Sequence, residues 1–429
     1  MTKGINWLVI AHCMNMDGQA ASHHVSDKLP YLKSMGIQPV LLSAASGSRD
    51  PTFEHHQIFS PAPSGLRFEM RHYLRRKIKG KVWSEAIVAL TTLTLLPLIL
   101  LEKIFLQLDS QWSWFITAYW KGKHLSSTHN FKVIYVLGGA SSAFLAAYLI
   151  SRKSKVPIIA ECFDPLISKD WSRSKASYKW NGWIEGIISQ KANSAVWYTT
   201  GALSDASSRH KILSRKGHVI RPGMSPPDFM GITYERCDKL KFCYFGGLSI
   251  QRSLDCFLQA LNEIFKSNPS FSTFIEVHIY GGKLDESSLT EAQKLPGTVL
   301  IDHGRLEHDP YSNKSGRQRV LEEMRKADFL ILLHGKGSIC KLYIPSKTYE
   351  YIWSLRPTIA ISPFPNELKS MLPEKEHYIA DQADISDVRN KISLAIKNWI
   401  AGEVGDCVLT PTFSAEDATK KIVKLALVN

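Results

Sequence analysis

Five apolar runs follow one another through the second half of the chain, KLKFCYFGG, EVHIYGG, TVLIDHG, ADFLILLHG and PTIAISPF, and four of the five end at glycine. Helix-length amphipathic segments separate them. Buried strands alternating with helices are the pattern of a parallel sheet flanked by helices. Glycine at a strand end frees the backbone to turn, and that edge is where open α/β sheets bind ligands. The first half repeats the alternation, with Asn6–Cys13, Gln38–Ala44, Lys132–Gly138, Val156–Cys162 and Ser194–Thr200 reading as strands. The expected fold is α/β, two Rossmann-like domains facing across a cleft.

A length of 429 residues fits two ordinary domains. The stretch IRPGMSPPDF (Ile220–Phe229) concentrates proline and glycine and reads as the connection. The expected boundaries are 1–222 for the first domain, 223–234 for the linker and 235–429 for the second, with the last helix packing back on the first domain. Cys13, Cys162, Cys237, Cys243, Cys256, Cys340 and Cys407 are scattered, with no CxxC pair. Their odd number fits a reducing compartment better than a disulfide framework or a zinc site. The opening MTKGINWLVIAHCMN has too short an apolar run, and no small-residue cleavage site, for a signal peptide. The expected location is the cytoplasm.

Lys and Arg number 53 against 39 Asp and Glu, a formal charge of +14. Such an excess suits nucleic acid, anionic lipid or a phosphorylated substrate, and its placement decides between them. Arg67–Lys81 carries seven Lys/Arg, among them Arg75, Arg76 and Lys77, against the single Glu69. It leads into AIVALTTLTLLPLILL (Ala86–Leu101), which contains Leu96, Leu98, Ile99 and Leu100, and then to Trp112, Trp114, Tyr119 and Trp120. Cations beside an apolar run, rather than in an aromatic-interleaved stripe, argue against nucleic acid.

Sixteen helical residues span about 24 Å, short of the ~30 Å hydrocarbon core, and Pro97 would bend them. The strands on either side should share one sheet, so a single crossing would divide a domain between compartments. The expected arrangement is an in-plane or re-entrant insertion over 67–120, on the cytoplasmic side of the inner membrane. Its aromatic residues would lie at headgroup level, and each nearby cation would add about 1 kcal/mol of attraction to anionic lipid. The alternative is a buried helix pair with a solvated basic face.

The segment IPSKTYEYIWSLRPTIAIS (Ile344–Ser362) combines a turn, P-S-K-x-x-E-Y, R-P and an apolar strand. It resembles the donor-nucleotide helix of GT-B glycosyltransferases, in particular glycosyltransferase family 4 and its branch that transfers amino- or deoxy-sugars in bacterial surface-polysaccharide synthesis. The resemblance implies that Glu350 accepts hydrogen bonds from both ribose hydroxyls, a task suited to the two oxygens of a carboxylate. Ser346 and Lys347 would open the helix toward the pyrophosphate, where helix N–H groups favour an anion. FCYFGGLSIQRSLDCFLQAL is similar to the family's first strand, glycine turn and helix. On that match Gly246 and Gly247 approach the diphosphate and Arg252 binds it. IYGG, with Gly281 and Gly282, and DHGRL, with Arg305, match the next two strand-end turns, the second beside the base.

AECFDPL is similar to an acidic turn of the acceptor domain, which makes Asp164 a catalytic candidate. NMDGQAASHH takes the place of the loop near the transferred sugar, which adds Asp17 and Gly18. As bare residues, Asp164 before Pro165 also reads as a cap, and His12, His23, His24 and His334 read as structural before proton-transferring.

The sequence also departs from the family. Its frequent first carboxylate, eight residues before the ribose Glu, falls at Leu342 beside Lys341. Lys336 or Lys341 is then the candidate for sugar contact. Leu248 replaces a basic residue after the glycine turn, and 67–120 is a larger insertion than the family carries.

The implied reaction moves a sugar from a nucleotide diphosphate-sugar, a UDP-sugar, to a lipid-linked or glycan acceptor, with retention and with neither metal nor further cofactor. Two alternatives stand beside it: a UDP-sugar 2-epimerase of the same architecture, and a noncatalytic membrane-associated scaffold.

Overall fold

A computed structural model describes residues 4–16, 18–168, 173–229, 231–309, 311–363, 368–409 and 413–428. The chain forms two compact units, Met1–Ser225 with Phe413–Asn429, and Pro226–Thr412. The C-terminal helix, Ala415–Val428, is therefore part of the first unit. There Ala418 and Ile422 join the core, and Met224 and Phe413 are tied by a backbone hydrogen bond of 3.0 Å. Together they form an α/β protein of two Rossmann-like domains.

The first unit contains β1 (Ile5–Ala11), β2 (Ile37–Ala44), β3 (Glu54–Ile58), β4 (Phe131–Leu137), β5 (Ile158–Cys162), β6 (Ser194–Trp197) and β7 (Gly217–Val219). They form one parallel sheet in the order β3-β2-β1-β4-β5-β6-β7. Val9 sits opposite both Leu41 and Tyr135, so a wholly apolar centre runs across the sheet. Fully buried strands explain why these segments read as unbroken apolar runs. Between strands lie α1 (Ala20–Ser26), α2 (Leu29–Ser34), α3 (Pro63–Lys77), α4 (Lys81–Phe105), α5 (Trp114–Thr128), α6 (Ser141–Ser154), α7 (Lys175–Lys191), α8 (Thr200–Arg209) and α9 (Leu213–Lys216).

The second unit pairs β8 (Leu240–Gly246), β9 (Ile275–Gly281), β10 (Leu300–Gly304), β11 (Phe329–Leu333), β12 (Thr358–Ser362) and β13 (Tyr378–Asp381) in the order β10-β9-β8-β11-β12-β13, all parallel. Helices α10 (Asp255–Ser267), α11 (Glu286–Ala292), α12 (Gly316–Lys326) and α13 (Lys347–Trp353) connect them, and a further helix spans Ile385–Ile400. In each sheet the strand order reverses beside its first strand, β1 or β8, which is where such folds place their ligands.

Helices α3 to α5 occupy the expected insertion, since β3 and β4 on either side belong to one sheet. The apolar helix is longer than the sequence suggested. It covers 25 residues with Pro97 inside it, about 37 Å at 1.5 Å per residue. Its most apolar 18-residue window has a mean hydropathy of 2.0 and is only 17% buried, the reverse of a core helix. Leu96, Leu98, Leu100, Leu101, Ile104 and Phe105 are exposed.

Two residues expected at the membrane are buried instead. Ile99 is 7% exposed and Trp114 is not exposed at all; Trp114 stacks edge-on against His12 at 5.3 Å. Arg76 donates to the carbonyl of Ala45 at 2.9 Å and to that of Ser46, so its guanidinium is spent on the end of β2. Arg75 is exposed and pairs with Glu85 at 2.8 Å, and Lys77 is exposed.

Candidate functional site

The second unit's strand ends are shaped by glycine. Gly246 and Gly281, on adjacent strands, both have φ of 145°, which side chains rarely adopt. A Cβ on Gly281 would lie 2.2 Å from the carbonyl oxygen of Gly246, so the two turns pack backbone on backbone. The N–H of Gly282 donates to that same oxygen at 3.2 Å. Nothing lies within 4 Å of a Cβ on Gly247. Arg252 follows in a turn closed by two backbone hydrogen bonds with Ser249, at 2.8 and 2.9 Å, and its buried Nε has no hydrogen-bond partner.

Helix α13 begins after Pro345 and Ser346. Tyr351 fastens it to the sheet by donating to the carbonyl of Ile331 at 3.1 Å. That anchoring leaves Glu350, 8% exposed, between two cations: Lys347 Nζ at 2.5 Å and Arg317 Nε at 3.7 Å. Lys347 thus rests on Glu350. Arg317 lies on α12, 33 positions before Glu350, and nothing in the local motif announces it. Beside this group His334 follows β11 directly and lies 3.1 Å from the carbonyl of Tyr343. Burial pushes its imidazole down to about 4, so the neutral ring donates that hydrogen bond. Lys336 and Lys341 are exposed, with Lys336 paired to Asp255 at 3.0 Å, and Arg305 is exposed after β10.

In the first unit, Asp164 follows β5, is exposed, and lines a cavity of about 510 Å³. Gly138, Gly139 and the first turn of α6 form the opposite part of its wall. Gly18 has φ of 72° in the loop after β1. Asp17 lies outside the described residues.

Two buried networks behind these strand ends escaped the sequence reading. Glu161, wholly buried on β5, accepts from Lys28 Nζ at 2.5 Å, from Tyr198 at 2.5 Å, and from Tyr135. His12, after β1, reaches Glu69 of α3 at 3.3 Å and Cys13 Sγ at 3.6 Å. Burial alone would lower the imidazole; the hydrogen bonds to Cys13 and Glu69 outweigh it and raise it to about 9. A lone acid inside the apolar run VPIIAEC was the available signal for Glu161. Its partner Lys28 lies 133 positions away.

No family model and no curated protein matches the sequence. Solved structures do match the fold over nearly the whole chain. HepE of Anabaena, in complex with UDP and glucose, is 10% identical, covers 99% of this chain and 98% of its own, and superposes with a TM-score of 0.57. The lipopolysaccharide outer core galactosyltransferase WaaB is 14% identical over 99% of both chains, at 0.56. The UDP-GlcNAc 2-epimerase of Methanocaldococcus jannaschii is 9% identical over 99% of this chain and 100% of its own, at 0.52. The structural neighbours are thus GT-B glycosyltransferases and UDP-GlcNAc 2-epimerases, and the fold is the two-domain α/β fold they share.

Proposed function

We propose that the protein is a glycosyltransferase of the family 4 type, taking a sugar from a UDP-sugar and passing it to a lipid-linked acceptor in bacterial surface-polysaccharide synthesis. The observation that carries this reading is Glu350, a nearly buried carboxylate held between Lys347 and Arg317. Buried carboxylates need donors. A ribose diol supplies two to the same two oxygens and releases Lys347 toward phosphate. In this reading Arg252 and the backbone of Gly247 hold the diphosphate and stabilise the charge that gathers on it as it departs, where preorganised donors act most strongly. Neither a metal nor another cofactor enters, transfer is retaining, and the leaving phosphate assists removal of the acceptor proton.

The exposed apolar face of α4, with cations at Lys77, Lys79, Lys81 and Lys103 near its ends, supports work at the cytoplasmic face of the membrane. Each such cation adds about 1 kcal/mol against an anionic surface.

A second reading, a UDP-sugar 2-epimerase, draws support from the fold neighbours of that activity, which use a nucleotide-sugar without a lipid. Incubating the protein with UDP-glucose or UDP-GlcNAc and membrane lipid extract separates the two. Free UDP together with a glycosylated lipid is the transferase result. A 2-epimer formed without lipid is the epimerase result, and no nucleotide binding at all leaves a scaffold.

The donor assignment has its own check by titration calorimetry. Glu350→Gln is expected to weaken UDP binding by about 1–3 kcal/mol, the size of a charge-assisted hydrogen-bond loss. Unchanged affinity in a folded variant would remove Glu350 from the site.

A further inference from the structure

The 510 Å³ cavity of the first unit is lined by hydrogen-bond donors, two cations and two carboxylates that the donor chemistry does not use. Its lining includes the start of α6, a helix of 14 residues whose N-cap, Ala140, offers no side-chain hydrogen bond. N–H groups at such an end lack i−4 partners, and with the helix dipole they favour an anion; here the N–H of Ala143 is taken by the carbonyl of Ala140 at 3.1 Å, and those of Ser141 and Ser142 precede it. The second observation is a side chain rather than the backbone of that helix. Ser142, which lines the same cavity, is 1% exposed, and its hydroxyl has no hydrogen-bond partner among the described residues. A buried hydroxyl left unpaired costs free energy until a ligand or water meets it.

Lys103 and Arg173 add two positive charges to the lining. Of the two carboxylates there, Asp109 is occupied, accepting from Ser177 at 3.0 Å and from Asn181 at 3.4 Å. Asp164 is exposed and lies within the field of Arg173. Arg173 also donates to the carbonyl of Leu166 at 3.0 Å, and Lys103 and Ser142 join it around a space large enough for a phosphate and part of what it is attached to.

The location narrows the ligand. Lys103 belongs to α4, and the Leu108–Trp112 connection after that helix forms more of the wall. Leu100, Leu101, Ile104 and Phe105, exposed apolar residues, surround Lys103 on the same helix. One wall of the cavity is thus continuous with the surface read above as membrane-facing, and the inference rests on that reading.

We propose that this cavity binds the phosphate headgroup of a membrane lipid, the phosphate seated against the start of α6 with Ser142, Lys103 and Arg173 as donors and its acyl or prenyl chain leaving along α4. Ser142→Val is the central test, because it removes the hydroxyl without altering charge; generic attraction of a basic protein to anionic vesicles is untouched by it. The probes are vesicles of phosphatidylcholine with phosphatidic acid, the same vesicles with phosphatidylserine, and glycerol 3-phosphate in solution.

Wild type is expected to prefer phosphatidic acid over phosphatidylserine. Ser142→Val and, independently, Lys103→Gln should reduce binding to phosphatidic acid vesicles about tenfold, as loss of a charge-assisted hydrogen bond predicts. UDP affinity should be unchanged in both, which keeps this test apart from the donor reading. If both folded variants retain the wild-type preference, the cavity is not the phosphate site. Should glycerol 3-phosphate bind in a Ser142-dependent way while vesicles show no headgroup preference, the ligand is a soluble phosphate ester and the lipid assignment falls. Absence of binding to any vesicle overturns the membrane reading and this proposal together, whatever UDP does.

Discussion

His12 and His334 occupy matching places, each directly after a strand beside the reversal point of its sheet, and they are held in opposite states. In the first unit the inserted helix α3 carries Glu69 back over β1, and the imidazole rises to about 9 despite complete burial. In the second unit no carboxylate among the described residues bears on His334; burial, with Arg252 adding to it, drives the ring down to about 4. The strand position does not set the protonation state. What is folded over it does. The same contrast runs through both sheets: the first unit builds its strand ends from buried ionisable side chains, the second from glycine backbone.

The sharpest way to break that contrast is at Glu161. Replacing it by Ala leaves Lys28, 1% exposed, without its carboxylate, and losing one partner of a buried pair costs about 3–5 kcal/mol. Denaturant unfolding of Glu161→Ala should show that loss in the first unit, while the second unit still binds UDP. The double variant Glu161→Leu, Lys28→Met should recover much of the loss, since neither charge then remains buried. A single-variant loss below about 1 kcal/mol would mean that water reaches Lys28 and that the network is not a dry support.

These two styles of construction also explain what could be read in the sequence. The central strands were legible because burial on both faces makes them continuous apolar runs. The strands missed were all sheet edges: Glu54–Ile58, Gly217–Val219 and Tyr378–Asp381. Each has one neighbour, is short, or carries polar side chains, so periodicity has little to register. Helix α4 came out longer than its apolar run because Lys81–Glu85 and Glu102–Phe105 continue it with charged residues that favour helix as well. At the donor site, Glu350, Lys347 and the glycine turns sit within local motifs. Arg317, Lys28 and Glu69 reach their partners only through the fold, and no local pattern encodes a contact 57 or 133 positions away.

A smaller effect sharpens the backbone side of the comparison. At Gly281 an alanine must hold φ near 145° and place its Cβ 2.2 Å from the carbonyl oxygen of Gly246. Strain of that kind costs about 1–3 kcal/mol and forces the two turns apart. Gly281→Ala should therefore weaken UDP binding along with stability. Gly247→Ala, where a Cβ meets nothing within 4 Å, should leave stability nearly intact and show its effect in UDP binding alone. Equal stabilities for the two variants would mean that the Gly246–Gly281 packing relaxes freely.

The smallest expected effect is the pH dependence, and it carries the comparison back to the histidines. An unfolded histidine titrates near 6.5. His334 and His377 fold with values of about 4, both lowered by burial. Between these values the unfolded state binds more protons, so their contribution is full above about 6.5 and declines as pH falls toward 4. His12 has the opposite sign. Its folded value of about 9 lies above the unfolded one, so its contribution is full below about 6.5 and is lost as pH rises through 9. Hydrogen exchange at pH 5, 7 and 9, after correction for intrinsic rates, should show the second unit opening more readily at pH 5 and the first at pH 9. His377→Asn keeps an acceptor for the Thr358 N–H, which donates to the ring at 3.1 Å, and should flatten the acid limb by something on the order of 1 kcal/mol. His55, in the first unit, is also lowered to about 4 by burial, so the alkaline limb is the one that reports on His12: if the first unit does not weaken between pH 7 and 9, His12 is not held as a cation, and the carboxylate of Glu69 does no more than accept a neutral hydrogen bond.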